Sequence, residues 1–380
     1  MTDLERILSL WRELEPSGAD FVLATVVAVE GPSYRKPGAL MMLTADGRRA
    51  GSVSGGCLEA QVASRAWWLT AGGPTVQRYS TAEDDGERPY GSGCGGTVFL
   101  LLERRATAGP LLVVLDAAYL RRISIAVSTM LEGERIGCRA VAGIDLGAMG
   151  WIGNGPMQDL AERALAQGES FEKRIAEFGG GTRVWADYRP ARPGLWIFGA
   201  GDDAQPLQRL AKELGWLVAV ADGRSHLATR ERFLLADEVR VLPINELPGM
   251  GASEPPFVLG NFHREDAAVV MTHSFEQDSR ILASLLTLDA PPEYIGVLGP
   301  QRRTRELFAE VAKLLGLPES AIPAQVGRWL ARLYAPTGLD LGAETPETIA
   351  LSVLAEIQKL RTAASALPLR QVRAASIIAG

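Results

Sequence analysis

The chain has 380 residues, 47% hydrophobic and 22% charged, enough for more than one core and free of the bias of a disordered or fibrous protein. Its net charge of −6 opposes nucleic acid as the main partner, and its apolar runs fall short of the roughly 20 residues of a membrane helix. Three cysteines are too few for a disulfide framework, and with three histidines they form no C-x-x-C or H-E-x-x-H spacing, which argues against zinc.

Residues 3–14 read as an amphipathic helix without the basic start and apolar centre of a signal peptide, so the expected location is cytoplasmic. A β-branched strand spans 21–30. The loop Gly31-Pro32-Ser33-Tyr34-Arg35-Lys36-Pro37-Gly38 then sets two cations beside a hydroxyl. After a strand at 39–43, Asp46-Gly47 signals a hairpin and returns the chain to Gly51-Ser52-Val53-Ser54-Gly55-Gly56-Cys57-Leu58-Glu59. A helix at 58–69 follows. The reading here is a glycine turn presenting a thiol at a helix start, where unpaired amides suit an anion and lower a thiol pKa.

A strand at 75–80 and an acidic connector at 81–89 lead to a second loop of the same kind, Gly91-Ser92-Gly93-Cys94-Gly95-Gly96, and a strand at 97–103. A helix is expected at 111–121, strands at 123–130, 138–144 and 149–152, and a helix at 157–166. Gly179-Gly180-Gly181 breaks the pattern before a strand at 183–188. Cys138 falls inside an expected strand and reads as core. Arg189-Pro190-Ala191-Arg192-Pro193-Gly194 is the best linker, which places the domain boundary between residues 1–190 and 191–380.

The second half alternates strand and helix. Strands are expected at 195–198, 217–221 ending on Asp222, 267–271 and 294–298, with 230–233 and 239–241 continuing the alternation between them. Helices are expected at 204–214, 279–287, 304–315 and, after the Thr345-Pro346 start, 349–360. The fold class is therefore α/β, an N-terminal mixed α/β domain plus a C-terminal Rossmann-like doubly wound parallel sheet.

Gly199-Ala200-Gly201-Asp202-Asp203-Ala204, with Asp222 about 20 residues on, fits the dinucleotide pattern G-x-G-x-x-A. That defines one alternative, an NAD(P)-dependent oxidoreductase using Gly199, Gly201 and Asp222 with His273 as acid/base. Asp202 and Asp203 stand against it, because both would repel a pyrophosphate. His273 also reads as part of a helix cap with Ser274, and Arg302, Arg303 and Arg305 as either an anion grip or a solvated face. Cys57 reads as a reactive or ligand-contacting thiol beside the plainer reading of close packing, and Cys94 likewise. No G-x-S-x-G elbow, Walker A motif or kinase loop set is present.

These stretches together resemble the XdhC/CoxI family of accessory proteins that mature molybdenum hydroxylases. The motifs are Gly31-Pro32-Ser33-Tyr34-Arg35, Pro37-Gly38-Ala39, residues 51–59, Cys94-Gly95-Gly96, residues 195–201, 220–224, 232–239, 269–273, 294–299 and 335–343, and the run 345–357. Two positions depart from the family's usual histidines, Asp202 in the first Rossmann loop and Tyr334 before Ala335-Pro336. The resemblance implies a cofactor chaperone rather than a catalyst. It would bind molybdenum cofactor (molybdopterin) transiently, protect it while a cysteine desulfurase exchanges an oxo for a sulfido ligand, and insert it into a xanthine-dehydrogenase-like hydroxylase. It also implies a homo-oligomer, and a cofactor site formed by Arg35, Ser54, Gly55, Gly56, Cys57 and Cys94, with Cys57 the soft contact to the metal.

Overall fold

The computed structural model describes residues 1–56, 58–80, 96–145, 155–176, 181–242 and 262–372. The chain divides into two compact units, Met1–Arg192 and Pro193–Gly380.

In the first unit α1 (Asp3–Leu14) opens on a reciprocal cap, in which the Thr2 hydroxyl accepts from the Glu5 amide and the Glu5 carboxylate accepts from the Thr2 amide. There follow β1 (Phe21–Glu30), β2 (Leu40–Thr44), β3 (Arg49–Gly51), α2 (Glu59–Leu69), β4 (Thr75–Ser80), β5 (Thr97–Arg104) and α3 (Arg105–Arg121). The five strands form an antiparallel sheet in the order β3-β2-β1-β5-β4. Its centre is β1, whose apolar run, interrupted at Thr25, is explained by cover on both faces. Phe21 and Leu23 join the core of α1 and α3, whereas Val22, Ala24 and Val26 join that of α2.

Next come β6 (Ile125–Met130), β7 (Arg139–Ala142), α4 (Pro156–Gln167), β8 (Phe171–Ile175) and β9 (Thr182–Arg189). These strands form a second antiparallel sheet, β7-β6-β9-β8, with α4 packed on it. Val27, Leu101, Leu131 and Trp185 pack side chains from both sheets into one cluster. An ion pair between Glu103 of β5 and Arg139 of β7, buried on both sides, also joins the sheets.

The second unit contains β10 (Gly194–Phe198), α5 (Ala204–Glu213), β11 (Leu217–Asp222), β12 (Glu238–Val241), β13 (Ala267–Val270), α6 (Phe275–Leu286), β14 (Tyr294–Val297), α7 (Gln301–Leu314), α8 (Ile322–Arg332) and α9 (Pro346–Thr362). Its five strands are all parallel, in the order β12-β11-β10-β13-β14. Trp196 and Phe198 of β10 pack with α6, α7 and α8, and Leu195 and Ile197 with α5 and α9. The expected Rossmann-like doubly wound sheet is present. Connectivity reverses between β10 and β13, so the crevice at their carboxyl ends is the place where such folds bind ligands.

Several local expectations change. The third helix starts at Arg105, six residues before the expected Leu111. Pro110 sits inside it because Ala108, Leu111, Leu112, Val114 and Leu115 bury a continuous face that outweighs one lost backbone bond. Residues 230–233 form turns and not a regular element of the alternation. The Phe233 amide donates to the Thr229 and Arg230 carbonyls, closing turns instead of a ladder. Two elements escaped the sequence reading. One is β8, whose exposed Glu172, Lys173 and Arg174 mask a strand at the sheet edge, and the other is α8. Cys138 lies just before β7, partly buried against the α4 core. The expected strand at 149–152, the connector at 81–89, and Gly179 and Gly180 lie outside the described residues.

Candidate functional site

The first glycine turn follows β3. Gly51 has φ of 76°, and a Cβ there would stand 2.3 Å from the Leu40 carbonyl oxygen and 2.7 Å from Ile7 Cδ1, so only glycine fits. Beyond it the chain closes on itself. Glu59, in the first turn of α2 and 1% exposed, accepts from the Val53 amide at 3.2 Å, the Ser54 amide at 2.8 Å and the Ser54 hydroxyl at 2.5 Å. Ser54 Oγ in turn accepts from the Gly56 and Leu58 amides, each at 3.1 Å. Burial pushes the Glu59 carboxyl up, but the Ser54 hydroxyl and the Ser54, Glu59 and Val53 amides outweigh it and hold the carboxyl below its ordinary value. This corrects the sequence expectation. Four of the amides that were to receive an anion are already bound to Glu59 and Ser54.

Around this turn the three motifs of the first unit converge. The Tyr34 ring covers Gly55, 3.6 Å from where a Cβ would stand. Arg35 donates to Ser52 Oγ at 3.1 and 2.6 Å and to Asp3 at 2.5 Å, so a carboxylate already meets its charge. Gly96, at the entry to β5, approaches Pro32 so closely that a Cβ would stand 2.1 Å from the Pro32 carbonyl oxygen. A cavity of about 470 Å³ opens beside Arg35, lined also by Asp3, Gly38, Leu40 and Arg189. A larger one, about 550 Å³, is lined by Trp11, Asp20, Arg104 and Pro110 and touches none of these motifs. Cys57 and Cys94 lie outside the described residues.

The second glycine turn, after β10, opens in the same way. Gly199 has φ of 136°, and a Cβ would stand 2.4 Å from the Met271 carbonyl oxygen. Two acidic side chains then fill the places that a dinucleotide would use. Asp222, fully buried at the end of β11, accepts from the Ala200 amide at 2.7 Å and from the Arg224 amide and guanidinium at 2.8 to 3.0 Å. Burial pushes its carboxyl up, but Arg224 and the Ala200 and Arg224 amides hold it below its ordinary value. Asp203 folds over Gly201, with Oδ1 2.6 Å from where a Cβ would stand. The oxidoreductase alternative thus finds its ribose-binding carboxylate bonded to its own chain and a carboxylate over its pyrophosphate turn.

His273 follows β13 and reaches this turn, with Nε2 2.8 Å from Asp203 Oδ2. The sequence placed His273 at a strand end but gave no sign that Asp203 partners it. Nor did it show that Glu59 closes the first turn; the acidic residue just after a glycine turn was the available signal.

The structure therefore gathers Arg35, Ser54, Gly55 and Gly56 in the first unit, and Gly199, Gly201, Asp222 and His273 in the second. Residues 14–80 match the XdhC and CoxI family, and residues 195–357 match the XdhC Rossmann domain. A Bacillus subtilis protein described as a probable xanthine dehydrogenase component is 33% identical over 350 residues, 90% of this chain and 93% of that one.

The chain belongs to the XdhC and CoxI family.

A second family relative, the molybdenum cofactor insertion chaperone PaoD of Escherichia coli, is 26% identical over 371 residues, 95% of this chain and 90% of that one. Among solved structures, a protein described as a xanthine dehydrogenase from Bacillus halodurans superposes with a TM-score of 0.68 at 27% identity, covering 97% of this chain and 98% of that one. Both halves of the family architecture are thus present. Among the described residues no helix is long and apolar enough to cross a membrane, and no three acidic, histidine or cysteine side chains converge as for a metal ion.

Proposed function

We propose that this chain is an accessory protein that takes molybdenum cofactor as cargo, supports its sulfuration and inserts it into a xanthine-dehydrogenase-like hydroxylase. The observation that carries this reading is the near full-length likeness to a molybdenum cofactor insertion chaperone, in a chain whose Rossmann turn carries Asp203 over Gly201 and holds the Ala200 amide on Asp222.

The convergence of Tyr34, Arg35, Ser52, Gly55 and Gly96 supports a cradle in the first unit. Cys57 directly follows Gly56 in the sequence, and a thiolate is a soft partner for a dithiolene-bound metal. Glu59 and Ser54 already hold turn amides, so in this proposal the cargo's phosphate is met at the cavity beside Arg35 and Arg189, where it competes with Asp3 and Asp187 for the two guanidiniums. Cys94 belongs to the same cradle in this proposal. The chaperone works in the cytoplasm as a homo-oligomer, with a cysteine desulfurase supplying the sulfur.

Titration of the purified protein with molybdenum cofactor tests the reading. Stoichiometric retention is expected, with loss of at least tenfold in affinity for Cys57→Ala. Failure of the unaltered protein to retain cofactor overturns the chaperone reading, and unchanged retention by Cys57→Ala removes Cys57 from the site.

A further inference from the structure

The crevice at the switch point between β10 and β13 contains an arrangement that cargo binding in the first unit leaves unexplained. His273 has φ of 63°, a left-handed conformation that is costly for a residue with a Cβ. The surroundings hold it there. The Thr272 amide and hydroxyl donate to Asp278 at 3.1 and 2.6 Å, Arg303 donates to the other oxygen of Asp278 at 2.7 Å, and Arg224 donates to the Thr272 carbonyl at 3.0 Å. Asp278 is 1% exposed, so the clamp beneath His273 is built into the fold. The imidazole itself is 60% exposed and its Asp203 partner 15%. Backbone strain backed by buried support, ending in an open side chain, is the pattern of a ligand site.

The charges around this pair define what it can take. Asp222 is matched by Arg224, Asp278 by Arg303, and Asp202 by Arg232. Asp203 faces His273 and also lies within electrostatic reach of Arg224, so these four carboxylates and three guanidiniums sum to −1 with a neutral imidazole and 0 with a protonated one. Neither state attracts a phosphate dianion, and Asp203 Oδ1 covers Gly201 where a pyrophosphate would lie. A carboxylate at this position is an acceptor for N–H donors. Phe275, in the first turn of α6 and two residues from His273, is 40% exposed and adds an apolar ring at the same end of the sheet.

We propose that Asp203 and His273 form a binding site for a planar nitrogen heterocycle bearing an amino group and an adjacent ring N–H. Asp203 accepts from that edge, and His273 lies against the ligand as its second contact. The inference rests on the cargo reading in one respect: the pterin of the cofactor carries such an edge.

Free pterin (2-amino-4-oxopteridine) is the probe, its fluorescence titrated with the full chain, and ADP is the phosphate-bearing comparator. The expected result is saturable binding of pterin, weakened at least tenfold by Asp203→Asn and by His273→Ala, with unchanged circular dichroism and no binding of ADP. Absence of pterin binding overturns the proposal. So does pterin binding that is equal in the unaltered protein and in whichever variant folds, or ADP binding that survives in the unaltered protein. Cofactor retention that is indifferent to Asp203→Asn sinks this inference alone. Pterin binding that depends on Asp203 in a protein that retains no intact cofactor sinks the chaperone reading alone.

Discussion

The turns after β3 and after β10 each begin with a left-handed glycine whose Cβ would strike a backbone carbonyl, that of Leu40 in one and Met271 in the other. Each then receives an acidic side chain in the place of an anion. In the first turn Glu59 is buried and bonded to backbone and serine donors, a finished piece of structure. In the second, Asp222 fills that structural role, whereas Asp203 projects to an exposed histidine. The glycine pattern thus reports close packing of backbone in both places. The two turns differ in what the acidic residue does next.

The largest effect expected from breaking this comparison is at the two glycines. Gly51→Ala and Gly199→Ala should each cost about 3 kcal/mol, seen as a fall in the urea midpoint, because the new methyl meets fixed backbone. Glu59→Ala should follow at about 2 to 3 kcal/mol, since it leaves the Val53 and Ser54 amides without their acceptor, and Glu59→Gln should recover part of the loss.

Acid titration sharpens the contrast further. Both Glu59 and Asp222 have folded-state values below their ordinary ones, so their contribution is complete above about pH 4.3 and 3.9 respectively and is lost as pH falls through the lower folded values. Glu59→Gln should therefore flatten the acid limb of the stability curve, measured by urea midpoints at successive pH values. The smallest effect is predicted for His273→Gly. Relief of the left-handed strain should leave thermal stability unchanged or raised by up to about 1 kcal/mol, and a loss larger than about 1 kcal/mol would show that the imidazole is structural.

Much of the fold is legible in the sequence because burial dictates periodicity. The β1 run, the Asp46-Gly47 hairpin and the β10 to β11 segment each carry a local signal that tertiary contacts reinforce. The signal fails where burial and pattern part. β8 is a strand whose middle faces water, α3 runs through a proline, and Phe233 is apolar because a turn folds it into the core. The site is legible in its residues but not in its pairings. Gly51, Gly199, Asp222 and His273 stand out as residue types. That Ser54 and Glu59 would consume the first turn's amides, or that residue 203 would meet residue 273, depends on rotamers and strand ends that no spacing encodes.

The ion pair between Glu103 and Arg139 has a consequence for how this architecture can be recombined. Arg139 also donates to the Thr107 and Gly137 carbonyls, and a Cβ on Gly137 would stand 2.7 Å from Glu103 Oε1, so the pair is enclosed by its own neighbours. A chimera that takes its second sheet from another family member must import a cation at this place, or leave a lone carboxylate in the interior at a cost of about 3 to 5 kcal/mol. Exchange of both partners for apolar side chains of matching volume carries no such penalty. The two sheets are therefore interchangeable parts only as a matched set.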